Sequence, residues 1–84
     1  MATKVSLEGN ILKIDDGVNI LYHNAAWCDM DFASDRVIIR NWGVPDYLHQ
    51  RAYTEILFTD FQDGTGAAIA TEALIATYLS DKIG

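Results

Sequence analysis

Val5-Ser6-Leu7-Glu8-Gly9-Asn10-Ile11-Leu12-Lys13-Ile14 is the stretch that decides the fold class. Gly9-Asn10 is a two-residue turn signal between alternating segments, which reads as a β-hairpin. The turn pairs Glu8 with Ile11, Leu7 with Leu12, Ser6 with Lys13 and Val5 with Ile14. Val5, Leu7, Leu12 and Ile14 then share one face, and Ser6 and Lys13 share the other. Turn chemistry and hydrophobic pattern agree on one register.

Working outward, Asp15-Asp16-Gly17 is the next turn. A three-residue loop with Gly17 left-handed would set Ile14 against Val18 and Leu12 against Ile20, adding Val18, Ile20 and Tyr22 to the apolar face. A two-residue Asp16-Gly17 turn would flip that strand and point Leu21 inward instead. The three-residue loop is preferred because it buries more. His23-Asn24 marks a bend. Ala26, Cys28, Met30 and Phe32 then alternate with Trp27, Asp29 and Asp31, a half-buried strand. Ser34-Asp35 is a turn, and Arg36 to Trp42 is β-branched in its middle. Gly43 to Gln50 holds the sole proline, Pro45, and reads as a loop. Tyr53 to Phe61 reads as a further strand, and the glycines at 64 and 66 break the chain after it.

Beyond that break the period changes from two to near four. Leu74, Ile75, Tyr78, Leu79 and Ile83 form one stripe of an amphipathic helix over about 71–83. Thr71 suits the N-cap, Glu72 the first turn, and Lys82 and Gly84 the end. The expected architecture is a single β-rich α+β domain over residues 1–84. It is a small antiparallel sheet of five or six strands with one C-terminal helix packed on its apolar face.

The chain has 84 residues, 50% hydrophobic, with a net charge of −6. That length fits one domain. No run of about 18 apolar residues is present to span a membrane. The start, with Lys4 as its one cation before Glu8, has no long apolar stretch, so no signal peptide is expected. Six basic against twelve acidic residues argue against binding nucleic acid by phosphate neutralisation. Cys28 is the single cysteine and cannot close an internal disulfide. At this size, with neither disulfide nor metal, association with another chain is the remaining common support.

Chemical motifs are weak. His23, Cys28 and His49 lack the spacing of a zinc site, and Cys28 alternates with core residues, where a thiol is inert. Asp29 and Asp31 share a strand face, and Asp15-Asp16-Gly17 offers oxygens. A solvated face and a turn explain them better than acid–base chemistry or a hard cation. Asp63-Gly64-Thr65-Gly66 lacks the ending of a phosphate-binding loop and reads as a strand-to-helix connection. No nucleophile, base and orienter stand at sensible spacing, so no enzyme, catalytic residue, metal or cofactor is expected.

The aromatic residues carry more. Trp27 lies opposite Cys28 in the alternation and points away from the core. Trp42, Tyr47, Tyr53 and Phe61 are read as partly outward too. Such rings on a small domain mark a contact surface, unless a second layer or the Gly43–Gln50 loop covers them. The interface candidates are Trp27, Trp42, Tyr47 and Tyr53. The carboxylates are dispersed through turns rather than gathered in runs, which disfavours mimicry of nucleic-acid charge.

Leu57-Phe58-Thr59-Asp60-Phe61-Gln62-Asp63-Gly64-Thr65-Gly66, followed by Thr71-Glu72-Ala73-Leu74 and Tyr78-Leu79-Ser80, resembles an ending found in small structural proteins of tailed bacteriophages. These are head-fibre, decoration and tail-associated proteins. In that ending a strand carries an aromatic-Thr-Asp-apolar step, a glycine-containing turn follows, and a short helix closes the chain. The likeness covers about residues 53–84, and the two hairpins match in style. It implies a virion component, often oligomeric, whose work is contact with other copies or with capsid or tail proteins. It carries over no active-site residue. Neither nucleic acid nor membrane is an expected partner. The rival expectation is a small acidic phage-encoded inhibitor that binds a host protein.

Overall fold

The computed structural model describes residues 2–41 and 52–83, with residues 52 and 53 described by their backbone alone. These residues form seven strands: β1 (Thr3–Glu8), β2 (Ile11–Asp15), β3 (Ile20–Asn24), β4 (Cys28–Phe32), β5 (Arg36–Asn41), β6 (Ala52–Leu57) and β7 (Phe61–Gln62). One helix, α1 (Glu72–Ser80), closes the described chain. The β1–β2 hairpin has the register its turn dictates, from Glu8 opposite Ile11 to Val5 opposite Ile14. Gly9 stands at φ +64, a conformation glycine adopts without steric cost.

The next hairpin departs from the sequence reading. Ile14 faces Leu21 and Leu12 faces His23, rather than Val18 and Ile20. Asp16 is the cause. Its Oδ1 accepts from the N–H of Val18 at 2.8 Å and of Asn19 at 2.7 Å, while its own N–H donates to the Asn19 carbonyl at 3.2 Å. With the Gly17 N–H donating to Asp15 Oδ1 at 2.9 Å, these side-chain bonds satisfy a longer loop, Asp16 to Asn19. One extra loop residue flips every side chain that follows. Ile20 and Tyr22 therefore leave the core face, and Leu21 and His23 take their places.

The strands divide into two sheets, ordered β3-β2-β1-β7 and β4-β5-β6, where one sheet was expected. Single 3₁₀ turns make both junctions, at Ala25–Trp27 and at Phe58–Asp60. The second turn interrupts the strand expected over 53–61. It moves the chain from β6 in one sheet to β7 in the other, where Phe61 and Gln62 run parallel to Thr3 and Lys4. The sheets are thus not wholly antiparallel. Dimensions explain the division. A nine-residue helix is about 13 Å long. Six strands side by side at about 4.8 Å spacing would present about 24 Å of apolar face. Two sheets that bury their faces in common need less cover from the helix.

One core results. Val5, Leu12, Ile14 and Phe61 enter it from the first sheet, Cys28, Val37, Ile39 and Ile56 from the second, and Ile75 and Leu79 from α1. Phe61 is fully buried, which corrects the reading of its ring as outward. Thr71 caps α1 as expected, its Oγ1 accepting from the Leu74 N–H at 3.3 Å. The helix is shorter than 71–83, and Leu74 is 58% exposed. The buried pair Ile75 and Leu79 defines the true inner line, with Tyr78 and Ile83 packed at its edge.

Candidate functional site

Among the described residues, four strands have an open side, and three of them are guarded. β4 carries Asp29 and Asp31 on its outer face. Both carboxylates hold Arg40 of β5, at 3.2 Å from its Nε and 3.5 Å from a terminal nitrogen. β6 carries Glu55, paired with Arg36 at 3.4 Å. β7 is two residues long, and Gln62 bridges Ala68 on its far side. Charge, shortness and cover are the usual protections of a sheet edge.

Among the described residues, β3 has none of them. It reads Ile20-Leu21-Tyr22-His23-Asn24, and the whole stretch from Gly17 to Cys28 contains no Asp, Glu, Lys or Arg. Val18 is 73% exposed and Tyr22 57%, with Ile20 and Leu21 exposed between them. Covering one such half-exposed side chain is worth about 1 kcal/mol. An open, apolar, uncharged edge strand is a template for another strand.

The phase of its backbone follows from two hydrogen bonds. Asp16 N–H donates to Asn19 at one end of the β2–β3 ladder, and Ala25 N–H donates to the Asn10 carbonyl at 2.9 Å at the other. Bonded and non-bonded pairs alternate along an antiparallel ladder. The bonded pairs between them are therefore Ile14 with Leu21 and Leu12 with His23. Leu21 and His23 turn their N–H and C=O toward β2. Ile20 and Tyr22 turn theirs out of the sheet, where an incoming strand would meet them.

Trp27 fits this edge. It ends the 3₁₀ turn that follows β3, is 54% exposed, and is held there by Asn24, whose Oδ1 accepts from the Ala26 N–H at 3.1 Å. Its exposure comes from that turn rather than from the outer face of a strand. Trp42 and Tyr47, and the Tyr53 side chain, lie outside the described residues. Sequence reasoning missed Val18, Ile20 and Tyr22 as surface residues because it assigned them to the core. The signal that could have found them is the uncharged run from Gly17 to Cys28.

His49 lies outside the described residues, and the remaining chemical candidates among those described have structural occupations. Cys28 is buried, and burial, with Asp29 beside it, pushes its thiol up to about 11. Its Sγ lies 3.4 Å from the Asn24 carbonyl, to which it donates. Burial also lowers the affinity of His23 for a proton. Asp63 organises the turn before the helix: its Oδ1 accepts from Thr65 Oγ1 at 2.6 Å and from the N–H of Thr65 and Ala67. Among the described residues, no three His, Cys, Asp or Glu side chains gather in a way that would hold a metal ion. An open cleft of about 220 Å³, lined by Ala2, Lys4, Asp15, Gly17 and Gln62, offers one ammonium and one carboxylate. Among the described residues, no helix is long and apolar enough to cross a membrane.

No known family model, curated protein or solved structure matches this chain.

Proposed function

We propose that this protein is a structural component of a tailed-bacteriophage virion, a decoration, head-fibre or tail-associated protein that acts by protein–protein contact rather than catalysis. The observation that carries the contact reading is the β3 edge. Its outward backbone groups at Ile20 and Tyr22 stand in an apolar, uncharged strand. Strand addition to such an edge gains main-chain hydrogen bonds and covers apolar side chains in one step. The virion setting is supported by the resemblance of residues 53–84, although its aromatic-Thr-Asp step is here a 3₁₀ turn between two sheets and not a strand. The partners in this reading are further copies of the chain or other phage structural proteins.

The test is composition of purified particles. Mass spectrometry of particles made with this gene is expected to find the chain in fixed stoichiometry. A Tyr22→Lys variant, which puts a charge on the open edge, is expected to be lost from them. A chain absent from washed particles would overturn the virion reading.

A further inference from the structure

The β3 edge also has the features of a self-complementary strand. Ile20 and Tyr22, whose backbone groups face outward, flank Leu21 symmetrically. We propose that a second copy of this chain pairs antiparallel with β3, with Leu21 on the two-fold axis, and that the two four-stranded sheets become one continuous sheet. This rests on the reading of β3 as the contact edge and adds the identity of its partner.

Three observations select this occupant and this register. The first is hydrogen bonding. With Leu21 on the axis, Ile20 is opposite the partner's Tyr22, and Tyr22 is opposite the partner's Ile20. Every outward N–H and C=O of these residues then finds a mate. A shift by two positions sets Tyr22 against the partner's Tyr22, and Ile20 against the partner's Asn24, whose carbonyl already accepts from Cys28 Sγ. A shift the other way sets Tyr22 against the partner's Val18, which is in the loop.

The second is electrostatic. Each copy has a net charge of −6, so two copies repel across most approaches. The run from Gly17 to Cys28 has no charged side chain, and an edge-to-edge meeting there opposes no like charges directly. The third is side-chain pairing. Isoleucine across from tyrosine is a favourable β-branched–aromatic pair on the outer face. The two Leu21 side chains meet on the other face at a non-hydrogen-bonded position, where opposed side chains come closest. An isologous contact needs this symmetry.

Sedimentation equilibrium of the full chain tests the pairing, and cysteine cross-linking tests the register. The expected mass is twice that of the 9.3 kDa chain, reverting to the single mass in Tyr22→Lys. Circular dichroism of that variant is expected to stay native, because Tyr22 is exposed. Opposed non-hydrogen-bonded residues have Cα atoms about 4.5 Å apart, within disulfide range. Leu21→Cys is therefore expected to form a covalent dimer under mild oxidation. Tyr22→Cys, where the two copies stand diagonally at about 7–8 Å, is not. Native Cys28 stays silent in both because it is buried. A chain that remains single at every concentration overturns the self-pairing, and so does faster cross-linking at position 22 than at 21. If such a single chain still needs an uncharged Tyr22 position to enter particles, the contact reading stands with a different strand as partner. If Tyr22→Lys enters particles normally, that reading falls as well.

Discussion

The Tyr78 hydroxyl donates a 2.6 Å hydrogen bond to the Val5 carbonyl and accepts one of 3.0 Å from the Gly64 N–H. One oxygen thus joins the last helix, the first strand and the turn between them. The ring meets Phe61 edge-on at 6.1 Å, and Lys82 Nζ lies 3.8 Å from its centroid on a face. Tyr78→Phe keeps the ring and removes the hydroxyl, leaving a carbonyl and an N–H without that partner. The expected loss is about 1–2 kcal/mol. At roughly 4–8 °C per kcal/mol for a domain of this size, thermal unfolding resolves it. An unchanged midpoint would show that water replaces the hydroxyl at no cost.

Neighbouring leucine and isoleucine in α1 are expected to behave differently. Ile75→Ala and Leu79→Ala each remove a fully buried side chain, which costs about 2–5 kcal/mol. Leu74→Ala removes one that is mostly exposed and is expected to stay within about 0.5 kcal/mol. Urea denaturation of the three variants separates the inner line of the helix from the broader stripe in its sequence.

Gly66 stands at φ +89. An added Cβ would meet Lys4 Cε at 3.5 Å, an ordinary contact, so the penalty of Gly66→Ala comes from the backbone. The expected cost is about 1–2 kcal/mol by chemical denaturation. A milder result would show that the turn relaxes to negative φ.

Asp63, in the same turn, confers a dependence on acid. Thr65 Oγ1, then the N–H groups of Thr65 and Ala67, hold its carboxyl below the ordinary 3.8. The unfolded chain takes up this proton first as pH falls. The stabilisation is therefore complete above about 3.8 and is lost as pH drops through the lower folded value. Asp63→Asn removes the titration, so its melting temperature is expected to fall less steeply than the parent's below pH 3.8. Parallel curves would exclude this carboxylate.

His23 acts in a higher window. Its burial holds the imidazole below its ordinary 6.5, so the unfolded chain is protonated near 6.5 and the folded chain only at lower pH. Stability is expected to decline as pH falls below 6.5 and to level off once the folded form is protonated too. His23→Gln should flatten that decline in thermal melts, and an unaltered slope would assign it to other groups.

How much of this was legible depended on the range of the interaction. The β1–β2 register, the Thr71 cap and the inward alternation of Cys28, Met30 and Phe32 follow from a turn, a hydroxyl and a period of two, each within a few residues, whereas Ala26, the first member of that alternation, is exposed in the 3₁₀ turn. The contact edge was not legible. The flip of β3 hung on one loop residue, and the two candidate registers differed by which apolar side chains they buried. Asp16 settles the matter through its own hydrogen bonds.

By itself, then, the sequence determined the α+β class, the first hairpin and the start of the helix, because those elements satisfy their backbone groups locally. Only the tertiary structure decided that the strands form two sheets, that β7 runs parallel to β1, and that β3 is left as an open edge among the described residues. Those outcomes rest on pairings between residues far apart in the chain. There, shared burial of two apolar faces outweighs the continuity of the Tyr53–Phe61 segment as a single strand.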